Sequence, residues 1–181
     1  MGHVVVNVFD LIVQDERTGR PIHYDHNNIP YFEKAHKVMP VPGCVNPTGT
    51  LTLHLIFYPL FTCPKGFFGG NLILKIHQAE NLMAMDKSMF AKAATSSDPY
   101  IVVSCPEGES FKANKVANTK TVKKTLSPYF DEQFNIILTE NHHPHLFFKI
   151  FDWDAVSGDD PIGQAIVDLY DLQAEVRCGE W

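Results

Sequence analysis

Apolar residues recur at every second position over long stretches of this chain. Leu51, Leu53, Leu55 and Phe57 alternate with Thr52, His54 and Ile56, and Leu72, Leu74 and Ile76 repeat the pattern. A period of two belongs to a strand with one buried face, whereas a helix would show about 3.6 residues per repeat. Aromatic and β-branched residues fill the other runs, and Gly, Pro, Asn and Asp fill the breaks. Short strands with turn signals between them predict an antiparallel sandwich. The expected strands are 50–59, 71–79, 99–105, 110–124, 131–138, 145–152 and 163–170, with a hairpin turn at Pro106–Gly108. With 181 residues and 45% hydrophobic content, the chain can bury one substantial core and carry an extension.

Acidic residues gather at two of the breaks. The stretch from Phe151 to Gly163 carries Asp152, Asp154 and Asp160 on a Gly-containing loop between two strand-like runs. Asp159 stands beside them and reads as a solvated neighbour. Hard divalent cations, Ca2+ above all, take about six to eight oxygen ligands, many of them carboxylate. Without a cation the acids oppose one another: at an effective dielectric of about 20, two unit charges roughly 5 Å apart cost about 3 kcal/mol. A second pair, Asp86 and Asp98, closes one strand-like run and opens the next.

These motifs, in their order, resemble a C2 domain, the membrane-binding module of synaptotagmins, extended synaptotagmins and conventional protein kinases C. The resemblance covers about residues 49–181. It is carried by Gly49–Pro59, Asn71–Leu82, Ser97-Asp98-Pro99-Tyr100, Thr119–Phe134 and Asp152-Trp153-Asp154. It implies an all-β, eight-stranded antiparallel Greek-key β-sandwich of synaptotagmin-type topology. It also implies that Asp86 and Asp98 form a first calcium loop and that Asp152, Asp154 and Asp160 form a third. The backbone carbonyls of Met85 and Trp153 are further implied ligands, with Ca2+ as the cofactor.

The stretch between Asp86 and Asp98 is longer than the family's usual one. Its Met89 and Phe90, flanked by Lys87 and Lys92, suit an interfacial wedge entering a bilayer. Packing of Phe90 back onto the domain is equally compatible with the sequence. Lys112, Lys115, Lys120, Lys123 and Lys124 fall within a stretch that contains no acid. If that stretch is a strand, Lys120 and Lys124 share a face and Lys123 points away. The resemblance makes Lys112, Lys115, Lys120 and Lys124 a surface for phosphoinositide headgroups. Each basic residue close to an anionic leaflet contributes about 1 kcal/mol. An ordinary solvated strand face is the alternative.

The N-terminal part reads differently. Gly2–Leu11 matches Gly163–Leu172 in its glycine, its alternation and its terminal Asp-Leu. Residues 1–48 are therefore expected to be the tail of a preceding C2 unit plus a linker, with residues 49–181 as the C2 domain; chance similarity of two apolar strands is the plainer reading. Gly179-Glu180-Trp181 resembles the start of the family's eighth strand. A sandwich short of a strand leaves an unpaired edge, which Pro30–Glu33 is expected to fill. The Pro-rich stretch Pro40–Pro47 reads as the linker.

Other function classes find little support. The net charge of −6 argues against nucleic acid. No apolar run reaches the roughly 18 residues that span a bilayer. The start lacks the basic leader of a signal peptide, and Val6 stands where a myristoylation motif wants Ser or Thr. Cys44, Cys63, Cys105 and Cys178 have no metal or redox spacing and suit reduced thiols in the cytoplasm. His142, His143 and His145 have no nearby fourth ligand and read as a polar turn. Phosphate-binding glycine loops, nucleophile elbows and zinc-protease helices are absent, so no enzyme is expected. The expected function is Ca2+-dependent binding to anionic phospholipid, phosphatidylserine or phosphoinositide, by a cytoplasmic protein that becomes peripheral on the membrane. Neighbouring C2 domains are expected beside it. Two rival readings are a calcium-independent C2-like module and the regulatory part of an enzyme.

Overall fold

A computed structural model describes residues 23–24, 30–59, 70–86, 95–108, 112–139, 141–156 and 158–169. Met89 and Phe90, Gly2–Leu11 and Gly179–Trp181 lie outside these residues, and so do the side chains of Lys112 and of Pro30–Phe32. The described strands are β1 (His23–Tyr24), β2 (Pro30–Lys37), β3 (Thr50–Pro59), β4 (Gly70–Glu80) and β5 (Pro99–Glu107), followed by β6 (Lys112–Asn118), β7 (Tyr129–Leu138), β8 (His145–Asp152) and β9 (Asp160–Asp168). They form two antiparallel sheets, ordered β1-β2-β3-β4-β7 and β6-β5-β8-β9. This is the expected antiparallel β-sandwich, with nine described strands, the two-residue β1 among them, where eight were expected.

Alternation sets which residues enter the core. Leu51, Leu53 and Leu55 of β3 and Leu72, Leu74 and Ile76 of β4 are buried, while Thr52, His54 and Lys75 are only partly covered. Ile101, Val103 and Cys105 of β5 face them from the second sheet, with Leu146, Phe148 and Ile150 of β8. Each such aliphatic side chain stabilises the sandwich by about 1.5–3 kcal/mol relative to exposure.

Residues 30–47 are built onto this sandwich. Pro30–Glu33, expected to fill an open edge, is the first half of β2, which pairs with β3 from Phe32↔Leu55 to Lys37↔Thr50. The Glu33 carboxylate reaches His54 on β3 at 3.0 Å. After β2 the chain crosses between the sheets. Met39 exchanges both backbone hydrogen bonds with Gln164 of β9, and Val38 is buried. Pro40–Pro47, expected as a linker, instead folds as a strap: Val41 and Cys44 bond reciprocally around a turn, and Cys44 is buried. Gly163 makes this approach feasible, since a Cβ there would meet Val38 Cγ1 at 2.3 Å and Met39 O at 3.0 Å.

Two expected elements differ. β5 runs through Pro106 to Glu107, and the turn falls at Gly108, whose φ is +65°. The strand expected over 110–124 ends at Asn118. Beyond it, Thr119 is buried, donates its N–H to Ile101 O and accepts the Ile101 N–H on Oγ1. That exchange turns the chain off the ladder, and residues 119–128 cross irregularly to the first sheet. Lys120, Lys123 and Lys124 are therefore not on a strand, and alternation does not place their side chains.

Val38→Asp tests whether the N-terminal strap belongs to the domain. It should lower unfolding stability by roughly 3 kcal/mol, measured by urea denaturation. A midpoint equal to that of the unmodified chain would show that the strap does not contribute to the core.

Candidate metal centre

Three strand ends bring the acids together. Pro99, at the start of β5, pairs with Asp152, and Asp152 pairs with Asp160 at the start of β9. Residues opposite each other on antiparallel strands have Cα atoms about 4.5–5.5 Å apart. Asp98 immediately precedes Pro99, and Asp86 joins the same rim through its bridge to Ser96. Ser97, fully buried, fastens that corner: its hydroxyl donates to Met83 O and accepts the Met85 N–H. Asp86, Asp98, Asp152 and Asp160, far apart in sequence, thus occupy one end of the sandwich.

Backbone donors orient the carboxylates. The Asp98 N–H donates to Asp152 Oδ1, and the Lys124 N–H donates to Asp98 Oδ1 at 2.7 Å. Lys124 can aim its N–H there because its φ is +56°. The Val156 N–H caps Asp154 Oδ1 at 2.9 Å. Each of these bonds engages one oxygen of its carboxylate and so fixes the direction of the other.

Electrostatic opposition concentrates on Asp152, which is 4% exposed. Burial is the main cause that pushes its carboxyl up to about 6. The Asp98 N–H works the other way, and the charges of Asp86, Asp98 and Asp160 add to the rise. Three carboxylates facing one buried member, with no sulfur or imidazole among them, suit a hard divalent cation such as Ca2+. Among the described residues, no three His, Cys, Asp or Glu side chains are already close enough to hold an ion. The donor chemistry fits the group, and an ion would have to draw the carboxylates inward.

The surroundings modify several expected roles. Asp159 is not a free neighbour: Tyr100 donates its hydroxyl to Asp159 Oδ2 at 2.6 Å, and the Asp154 N–H donates to Oδ1 at 3.1 Å. Met85 and Trp153 adjoin the acids, the Met85 N–H bonded to Ser96 O and the Trp153 N–H to Asp98 O. The Trp153 side chain is 40% exposed, and Lys123 Nζ sits 5.0 Å from its ring centroid. Val156, at the outer turn of the third loop, is 94% exposed and was not among the expected site residues. An apolar residue inside an acidic loop is the sequence signal that points to it.

The lysines divide into two groups. Lys115 lies exposed on β6, opposite Ser104. Lys120 and Lys124 belong to the irregular crossing: Val122 N–H to Pro99 O and Thr125 N–H to Ser97 O stitch it to the acidic corner, while the Lys120 N–H donates to Glu132 Oε1 on β7. The histidines of the polar turn are engaged separately. His142 Nδ1 accepts the Thr139 N–H, His143 Nε2 lies 2.8 Å from Gly108 O, and His145 faces Asp168 at 3.7 Å.

Comparison with known proteins now decides the family. The C2 domain profile matches residues 70–181, more than half of the chain. This chain belongs to the C2 domain family. It is 36% identical over 108 residues to the eye isozyme of protein kinase C from Drosophila melanogaster, covering 59% of this chain and 14% of that protein. It is 31% identical over 123 residues to extended synaptotagmin-2-A of Xenopus laevis, covering 67% and 12%. With synaptotagmin-1 of Caenorhabditis elegans it shares 36% over 118 residues, covering 64% and 24%. The chain thus spans between about an eighth and a quarter of these relatives. Among solved structures, a C2 domain of RIM from Drosophila aligns with a TM-score of 0.49 at 22% identity, covering 67% of this chain and 86% of that one. No helix among the described residues is long and apolar enough to cross a membrane.

The Asp152 shift has a defined sign. Folded, its carboxyl holds a proton up to about pH 6, against an ordinary value of 3.8. Between those values the folded state binds more protons than the unfolded one, so stability falls as pH rises through that window and the deficit persists at neutral pH. At most it amounts to about 3 kcal/mol. Asp152→Asn keeps an acceptor for the Asp98 N–H and removes the charge. In chelator it should therefore be more stable than the unmodified chain by about 1–2 kcal/mol at pH 7.5, with the gain vanishing near pH 4. Denaturation at both pH values checks this, and a destabilised variant at pH 7.5 would contradict it.

Proposed function

We propose that this C2 domain binds anionic phospholipid membranes in response to Ca2+, and that it is a binding module rather than an enzyme. One observation carries the reading: Asp86, Asp98, Asp152 and Asp160, far apart in sequence, meet at one end of the sandwich with Asp152 buried among them. That costs stability, and a site that keeps such a cost usually uses it. Asp86, Asp98, Asp152, Asp154 and Asp160 would hold the ion, with the carbonyls of Met85 and Trp153 as further ligands. When bound, Ca2+ supplies positive charge to a rim that otherwise repels an anionic leaflet.

The chain's own groups do the rest. Val156 and the Trp153 ring stand exposed beside the acids, where apolar contact with a lipid interface is available. Lys123 over Trp153 keeps a cation at the same rim. Lys115, Lys120 and Lys124, together with Lys112, would add attraction for phosphatidylserine or phosphoinositide headgroups; Met89 and Phe90 are the other proposed contacts. Such a module, in the cytoplasm and with further C2 domains beside it, would bring a larger protein to membranes in trafficking, lipid transfer or signalling.

The calcium-independent reading draws on a specific observation too: among the described residues, the acids are not yet gathered to ligand distance. In that case lipid binding rests on the lysines alone. Sedimentation with phosphatidylserine liposomes separates the two. Asp152→Asn with Asp154→Asn should abolish the Ca2+-dependent fraction, and Val156→Ser should reduce it severalfold while leaving lipid-free Ca2+ uptake unchanged. Sedimentation that is the same in Ca2+ and in chelator would favour the lysine-only reading.

A further inference from the structure

Tyr100 touches the third loop at both of its ends. Its ring stacks on Phe151, with centroids 5.6 Å apart and planes 23° from parallel, and Phe151 immediately precedes Asp152. Its hydroxyl donates to Asp159 Oδ2 at 2.6 Å, and Asp159 immediately precedes Asp160. The hydroxyl is the donor of that bond, since its partner is a carboxylate oxygen. Asp159 passes the connection inward, accepting the Asp154 N–H on Oδ1 at 3.1 Å. One side chain on β5 is thereby linked to the residues flanking Asp152 and Asp160 and, through Asp159, to Asp154.

We infer that Tyr100 and Asp159 form a latch that restrains the third loop before the ion arrives, so that the carboxylates have only to move inward when it binds. Tyr100 is then a positioning residue, and Asp159 acts as its hydrogen-bond partner rather than as one more charge for the ion. The inference rests on the cation-site reading above. Physically, the described residues between the end of β8 at Asp152 and the start of β9 at Asp160 (153–156, 158 and 159) lie outside the strand ladder. Their conformational freedom has to be removed either in advance or at the moment of binding. Removal in advance favours affinity. Phe151 and Tyr100 do this from the strand side, where the β5–β8 pairing Tyr100↔Phe151 fixes their positions.

The two roles for Asp159 separate under substitution. Asp159→Asn retains both bonds, because its amide oxygen can accept the Asp154 N–H while its amino group donates to the Tyr100 oxygen; it loses only the charge. Tyr100→Phe retains the stack and the charge and loses only the bond. Calorimetric titration with CaCl2, in the absence of lipid, should find Tyr100→Phe and Asp159→Ala each weaker than the unmodified chain by roughly fivefold. The double variant should be no weaker than either single one, and Asp159→Asn should remain within about twofold. Hydrogen exchange at the Asp154 amide, followed by NMR in chelator, should be faster in Tyr100→Phe than in the unmodified chain. An affinity unchanged in Tyr100→Phe but lost in Asp159→Asn would overturn the latch and make Asp159 a charge contributor. If the unmodified chain takes up no Ca2+, the function proposed above fails, and the Asp154 exchange rate alone decides the latch: faster exchange in Tyr100→Phe upholds it, and equal exchange overturns it.

Discussion

Backbone pairing between β5, β8 and β9 governs the functional end of this protein. The pairs Pro99↔Asp152 and Asp152↔Asp160 fix three chain segments side by side before any side-chain preference acts. Because one residue of slip would turn a strand's inward side chains outward, the buried Ile101, Phe148, Ile150 and Ile162 lock that register through the core. The core thus specifies how close together the acids at its rim are held. Like charges are gathered as a consequence of apolar burial elsewhere.

That arrangement carries a stability deficit at its centre. Asp152 is buried, opposed by three carboxylates and relieved by a single backbone N–H. An apolar residue there would pack better, and a paired charge would cost less. The neighbouring bonds do not relieve the opposition but aim it: Lys124 N–H on Asp98 and Val156 N–H on Asp154 each fix the orientation of a carboxylate through one of its oxygens. The same irregular crossing that supplies Lys124 also brings Lys123 against Trp153, so the basic and acidic parts of the surface share one scaffold.

Much of this is legible in the sequence. Alternation at Leu51–Phe57 and Leu72–Ile76 identifies the strands, and the spacing of Asp152, Asp154 and Asp160 identifies the loop. Legibility ends where local pattern gives way to tertiary bonding. Residues 119–124 contain β-branched and alternating residues, yet the buried Thr119 diverts the backbone into bonds with Ile101, Pro99 and Ser97 that no local propensity encodes. Pro40–Pro47 has a linker's composition, but Val38, Met39 and Pro47 come against Gly163, a contact more than a hundred residues away in the chain. Asp159 looks surplus in the sequence because its partner, Tyr100, lies on another strand.

The central claim is that a hard cation binds at this rim, against Asp152 and Asp154 and therefore next to Trp153. Terbium luminescence excited through tryptophan reads that proximity directly, since Tb3+ takes oxygen-ligand sites of the calcium kind. The account predicts sensitised emission that Ca2+ displaces and that Trp153→Phe removes. Emission that Ca2+ leaves unchanged, or that persists undiminished without Trp153, would contradict it.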